Sequence, residues 1–403
     1  MDIRKTYVNG TGAVSAAGID VPGHIGFMKS GKSAIAFSEH IATAVHSPVG
    51  EVRLSDTELK EKLGISADET VSRTALLGLV AVLEALDDCE SRGISLSGAR
   101  VALVSGTSVG GMDLSEVFWQ SWRGDIPAGD VRMLAMHDPG AVTSYMAEYL
   151  RKRRLAGDIS FVSTVSTACS AAGNAMILGA RLLRAGLVDA VIAGGTDALC
   201  RFTMNGFNSL RILDEDVCRP FDASRAGLNL GEGAGYVVLT ANPSNAGCIL
   251  SGWGNANEAY HQTASTPEGI GPGLAMEKAL SCARLSPEDI GFINTHGTGT
   301  QVNDMAEGNA MLRVFGGKVP PFSSLKAYFG HTLGASEGIE AALVCRALES
   351  GDCSFMKSIR FSEPVPETGL RPYAGGELPA LSSIMSSAFG FSGNCVSLIF
   401  SRL

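Results

Sequence analysis

Apolar runs too short for helices recur along this chain, and each alternates with a stretch of helical periodicity. RVALVSG (100–106), DISFVST (158–164), VDAVIAGG (188–195) and GYVVLT (235–240) read as buried strands bounded by turn residues. Between them, SRTALLGLVAVLEALDDC (72–89) carries an apolar stripe at i, i+3, i+4 spacing. AAGNAMILGARLLRAG (171–186) also predicts a helix. This order, β then α, requires an α/β protein with a sheet covered on both faces. The turn-rich segment TANPSNAGC (240–248) interrupts the series, which then starts again. Strands are expected at 248–254, 289–297, 320–325, 382–390 and 395–400, with helices near 273–284, 303–315 and 335–350. The chain therefore divides into two similar α/β halves, 1–245 and 246–403, the pattern of a duplication.

Composition narrows the function classes. With 403 residues, 45% hydrophobic and 18% charged, the chain can bury a core large enough for two domains. A net charge of −9 disfavours a general nucleic-acid binder. Nine cysteines at wide spacings, with no C-x-x-C pair, fit neither a disulfide framework nor a zinc ribbon, so a reducing cytoplasm is expected. No apolar stretch reaches the length of a membrane span, so no membrane partner is expected.

Two motifs mislead. GFMKSGKS (26–33) satisfies G-x-x-x-x-G-K-[ST], but a phosphate loop needs a strand before it and a helix after it, and neither flank fits. GTGAVSAAG (10–18) spaces its glycines too widely for a pyrophosphate turn, so they read as tight-turn glycines.

VSTACSAAGNAM (165–176) places Cys169 among small residues where a β-branched run meets a helical one. Free cysteine is often a buried core filler. A strand-to-helix elbow, however, would set the thiol at a helix N-terminus, where the macrodipole favours thiolate and free N–H groups can bind an oxyanion. Two of the seven histidines keep unusual company. His296 ends an apolar run before GTGT, and His331 lies in LKAYFGHTLGAS with Lys326 five residues earlier. His24, His40, His46, His137 and His261 read as surface or capping residues. Metal binding by His296 and His331 is disfavoured, because no acid or cysteine joins them at ligand spacing.

Five motifs in order, TACS, CRPFDASRAGLNLGEGAG (218–235), NTHGTGTQVND (294–304), LKAYFGHTLGAS (325–336) and SSAFGFSGN (386–394), span almost the whole chain. Together they make it resemble the β-ketoacyl-acyl-carrier-protein synthases, condensing enzymes of the thiolase superfamily. The resemblance implies a five-layered αβαβα fold and a Cys169–His296–His331 site supported by Lys326, Glu307 and Glu340. It also implies an oxyanion and gate region at Phe389 and Phe391. The implied reaction is decarboxylative condensation of malonyl-carrier protein with an acyl group on Cys169, in fatty-acid, polyketide or aryl-polyene elongation. No cofactor or metal would be bound, since the phosphopantetheine arm arrives on acyl carrier protein. A homodimer, or a heterodimer with a related synthase subunit, is the implied assembly. Arg73, Arg211 and RKRR (151–154) are candidate docking cations. A non-catalytic chain-length subunit and a thiolase using Cys395 as second cysteine are the rival readings. GFSGNC (390–395) and GLNLGEGAG (227–235) depart from the commoner family patterns, which puts the acyl substrate rather than the reaction in question.

Overall fold

The computed structural model describes residues 5–38, 40–41, 43–123, 129–378 and 381–403. In the first half the strands are β1 (Tyr7–Ser15), β2 (Arg100–Gly106), β3 (Asp158–Val165), β4 (Ala190–Asp197) and β5 (Gly233–Thr240). Its helices are α1 (Val21–Lys29), α2 (Asp56–Leu63), α3 (Arg73–Ser91), α4 (Met112–Trp122), α5 (Pro139–Arg153), α6 (Ala171–Arg184) and α7 (Arg201–Ser209). The second half contributes β6 (Cys248–Asn257), β7 (Phe292–Asn294), β8 (Phe322–Ser323), β9 (Ser383–Gly390) and β10 (Asn394–Ser401). With them come α8 (Ile270–Ala283), α9 (Gln301–Val314), α10 (Lys326–Phe329) and α11 (Ser336–Ser350).

The strands run in the order β3-β2-β4-β5-β1-β6-β10-β9-β7-β8. Read outward from the centre, each half places its first strand innermost, then its fifth, fourth, second and third. Strand directions repeat as well. β2 is parallel to β3 and β4, as β7 is to β8 and β9, and the remaining pairs within each half are antiparallel. A short ladder, Tyr7↔Ile249 and Val8↔Cys248, joins the halves. The molecule thus has two copies of one α/β unit.

Helix composition decides the layers. α3 and α5 cover the outer face of the first half, and α8 and α9 that of the second. α6 and α11 lie between, each packed on strands of both halves. A central helix needs small residues where two sheets close on it. Accordingly, a Cβ at Gly173 of α6 would come within 2.8 Å of Val396, and one at Gly179 within 2.6 Å of Val191. The result is five layers, α/β/α/β/α, as the family resemblance implied.

Two expectations need correction. The glycines of 10–18 do not all make turns, because Gly10 and Gly12 lie inside β1. There an added Cβ would stand 2.1 Å from the carbonyl oxygens of Ala85 and Ala81, so glycine lets α3 pack directly on the strand. His24 is fully buried rather than at the surface, with Nε2 2.6 Å from Ser15 Oγ and Nδ1 2.7 Å from Asp20 O. Burial brings its pKa down to about 4. As expected from its flanks, the Gly-Lys-Ser segment follows the end of α1 instead of linking a strand to a helix, so it has no phosphate-loop geometry.

Candidate active site

Cys169 stands at the elbow between β3 and α6, two residues before the helix begins. Ala168 just before it has φ +52°, the left-handed region, a strain of about 1–3 kcal/mol that the surrounding packing must hold. The elbow turns the thiol into a cavity of about 430 Å³, which His296, His331, Phe207, Phe389 and Phe391 also line. Gly390 permits the close approach of β9. A Cβ there would lie 3.0 Å from Cys169 N and 2.9 Å from Thr167 O.

The second half supplies both histidines. His331 Nε2 lies 3.0 Å from Cys169 Sγ, and its Nδ1 lies 2.9 Å from Ser336 Oγ. The Ser336 hydroxyl can donate or accept, so Nε2 can receive the thiol proton or present an N–H. His296 meets His331 edge to face, with ring centres 5.1 Å apart. Glu307 fixes the loop of His296, accepting from the N–H groups of His296 (2.9 Å) and Gly297 (2.8 Å). Phe389 packs near the His296 ring, and Phe391 stacks on Phe207 of α7 at 5.5 Å.

Lys326 Nζ is bonded to Glu340 Oε1 at 2.9 Å, and both residues are buried. Asn294 Nδ2 donates to the other Glu340 oxygen at 3.1 Å. Burial lowers the pKa of both histidines well below the ordinary value, and the Lys326 ammonium lowers them further. They are neutral near pH 7. Burial pushes the Cys169 thiol up to about 12, against the pull of Lys326 and of the backbone N–H groups of Cys169 and Phe391. The resting group is therefore a thiol poised against an acceptor, not the free thiolate expected of an exposed elbow. The same two N–H groups face the sulfur, where a thioester oxyanion would need donors.

The structure thus brings together Cys169, His296, His331, Lys326, Phe389 and Phe391. Glu340 serves Lys326, whereas Glu307 serves the backbone of the His296 loop. Ligand atoms of Cys169, His296 and His331 lie within 4.8 Å of one another, close enough for a metal. The Lys326 charge that depresses all three pKa values would oppose a divalent cation there, so the donor set fits a metal poorly. Cys395 is buried away from the cavity lining, with Sγ 3.5 Å from Gly393 O. It does not serve as a second reactive cysteine.

The candidate docking cations separate. Arg211 is exposed on the cavity rim. Arg73 is instead a framework residue, bonded to Glu232 at 2.6 Å and Asp56 at 2.7 Å and to the carbonyls of Val52 and Leu54. In the 151–154 run, Arg151 and Arg153 donate to the carbonyls of Ile159, Leu63 and Gly64, which ties down the end of α5. Sequence reasoning missed Phe207 and Asp197. The latter is a buried acid at the end of β4 that accepts from Ser108, Val109 and Gly334 N–H. An acid closing an apolar strand, as in VIAGGTD, was the available signal.

Comparison with known proteins supports the assignment. Residues 7–244 match the model of the beta-ketoacyl synthase N-terminal domain, and residues 247–354 match the C-terminal domain. The chain is 28% identical to 3-oxoacyl-(acyl-carrier-protein) synthase 2 of Staphylococcus aureus (strain COL), covering 99% of this chain and 98% of the relative. It is 29% identical to the Vibrio cholerae protein of the same name, over 100% of both. Among solved structures, the ishigamide ketosynthase/chain length factor superposes with a TM-score of 0.89 at 27% identity over 100% of both chains. The ketosynthase ApeO in complex with its chain length factor ApeC, from Xenorhabdus doucetiae, matches with a TM-score of 0.82 at 30% identity. That match covers 99% of this chain and 98% of the other.

Proposed function

The chain belongs to the β-ketoacyl synthase family, and from that membership we propose how its residues carry out decarboxylative condensation on acyl carrier protein. The observation that carries the reading is the 3.0 Å contact of Cys169 Sγ with His331 Nε2, beside a neutral His296.

The Cys169 sulfur attacks the acyl thioester carbonyl, and its proton passes through His331 Nε2 to the departing phosphopantetheine thiolate. The N–H groups of Cys169 and Phe391 hold the oxyanion. Malonyl-carrier protein then enters. Its C–CO₂ bond breaks, and the enolate oxygen takes hydrogen bonds from His296 and His331 as charge develops there. The enolate carbon attacks the acyl-cysteine carbonyl, a C–C bond forms, and the Cys169 thiolate leaves and takes up a proton. Lys326, held by Glu340, keeps the site electropositive throughout.

The 1–245 half thus delivers the nucleophile and the 246–403 half the two histidines. The products feed fatty-acid or polyketide elongation. Acyl carrier protein is the partner, and the assembly is a homodimer or a heterodimer with a related subunit. No helix among the described residues is long and apolar enough to cross a membrane, and we place the enzyme in the cytoplasm. A chain-length subunit without catalysis does not require the complete Cys-His-His set seen here. The test is release of CO₂ from malonyl-carrier protein in the presence of acyl-carrier protein. Stoichiometric release with β-ketoacyl product supports the reading, and no release contradicts it.

A further inference from the structure

The mechanism leaves the buried acid Glu337 unused. Glu337 follows Ser336, the residue that holds His331, in the first turn of α11. Its side chain is fully buried, and among the described residues its carboxyl has no partner beyond a weak contact with the Ser386 side chain. Gly173 of α6 faces it, since a Cβ there would come within 3.2 Å of Glu337 Cγ. The acid is therefore seated against the first turn of α6, the helix that follows Cys169.

The groups around it are Glu340 on its own helix, Lys326 on α10, Glu307 on α9 and Ser386 on β9. Lys326 is already bonded to Glu340, and Asn294 Nδ2 bridges Glu340 and Ser386 at 3.1 and 3.0 Å. Glu307 is committed to the His296 loop. A second full negative charge here would have no cation of its own, at a burial where an unpaired charge costs several kcal/mol.

We propose that Glu337 is a positioning residue held as the neutral acid, and that its neutrality leaves the Lys326 charge free to act on Cys169 and the two histidines. This rests on the condensing-enzyme reading above. Burial and the Glu340 carboxylate both favour the protonated form. Ionisation would set a negative charge beside the first turn of α6, opposing both Lys326 and the helix N-terminus. Formation of the Cys169 thiolate would then become harder.

The test uses the whole chain, wild type and Glu337→Gln, in two measurements against pH. Infrared difference spectra should show the carbonyl band of a protonated carboxyl at neutral pH, shifted in D₂O and missing in E337Q. Acylation of Cys169 by a small acyl thioester should be similar in both proteins at neutral pH. As the band titrates away, the wild-type rate should fall at least about tenfold below that of E337Q, because a nearby like charge moves a pKa by one unit or more. No such band at neutral pH would overturn the proposal. So would wild-type and E337Q rates that coincide over the whole range. A potassium requirement in wild type that E337Q abolishes would also overturn it, because a cation rather than a proton would then neutralise the acid. The infrared band needs no substrate, and acylation needs no malonyl group. Failure of condensation would therefore leave this result distinguishable.

Discussion

The two halves of the molecule share one topology and use the ends of equivalent strands differently. The third strand of each half leads to a central helix: β3 to Cys169 and α6, β8 to Lys326, His331 and α11. The second strands lead directly to Thr107 in one half and to the loop of His296 in the other. The fourth strands end at Asp197 and at Gly390, next to Phe391. In the second half these ends face the cavity. In the first half they hold it up, since Asp197 accepts from Thr107 Oγ1, from the N–H groups of Ser108 and Val109, and from Gly334 of the His331 loop at 2.7 Å. The shared topology thus gives a frame with paired strand ends, and the two halves put each pair to different use.

Replacing the nucleophile should break the comparison most completely. Cys169→Ala should abolish the acyl-enzyme while circular dichroism shows an intact fold. His296→Ala and His331→Ala come next. Losing one oxyanion donor costs on the order of 10²–10³ in rate, and decarboxylation should suffer more than acyl transfer. Because both rings titrate well below 6.5, condensation should stay flat from about pH 7.5 to about pH 6, where an ordinary histidine would be largely protonated. An acid limb centred near 6.5 would show that the rings are not held neutral.

The supporting strand ends should give smaller effects. Asp197→Asn weakens the hydrogen bonds that hold the His331 loop without touching substrate, so activity should fall by less than in His331→Ala. A stopped assay with a small thioester would measure it, and an unchanged rate would separate the two halves functionally. Arg73→Ala should not alter carrier docking. By leaving Glu232 buried without its cation, it should cost about 3–5 kcal/mol of stability, read from denaturant midpoints. Arg211→Glu should do the reverse, with stability within about 0.5 kcal/mol. Carrier association should slow as it does on raising salt, while small-thioester turnover stays constant.

Most of the alternating frame was legible, because apolar runs and helical stripes are local. RVALVSG is β2 to the residue, and 335–350 differs from α11 by one residue at its start. β1 was not legible as a strand. Its Gly10 and Gly12 have low strand preference, and the reason for them, the backbone of α3, lies about seventy residues away. The Cys-His-His set was visible through motif order, whereas the work of Glu307 was not, since its partners are backbone N–H groups that no side-chain pattern marks. Arg73 and Arg211 look alike in sequence. Only burial separates a framework ion pair from a rim cation.

If one half carries the acyl group on Cys169 and the other half's histidines discharge it, loading and discharge must separate. Intact-protein and peptide mass spectrometry after incubation with acyl-carrier protein, then with malonyl-carrier protein, tests it most directly. One acyl group should sit on Cys169 until malonyl-carrier protein arrives and then leave as β-ketoacyl-carrier protein, with discharge but not loading crippled in His296→Ala. Acyl mass on another residue, or discharge that His296→Ala leaves intact, would contradict it.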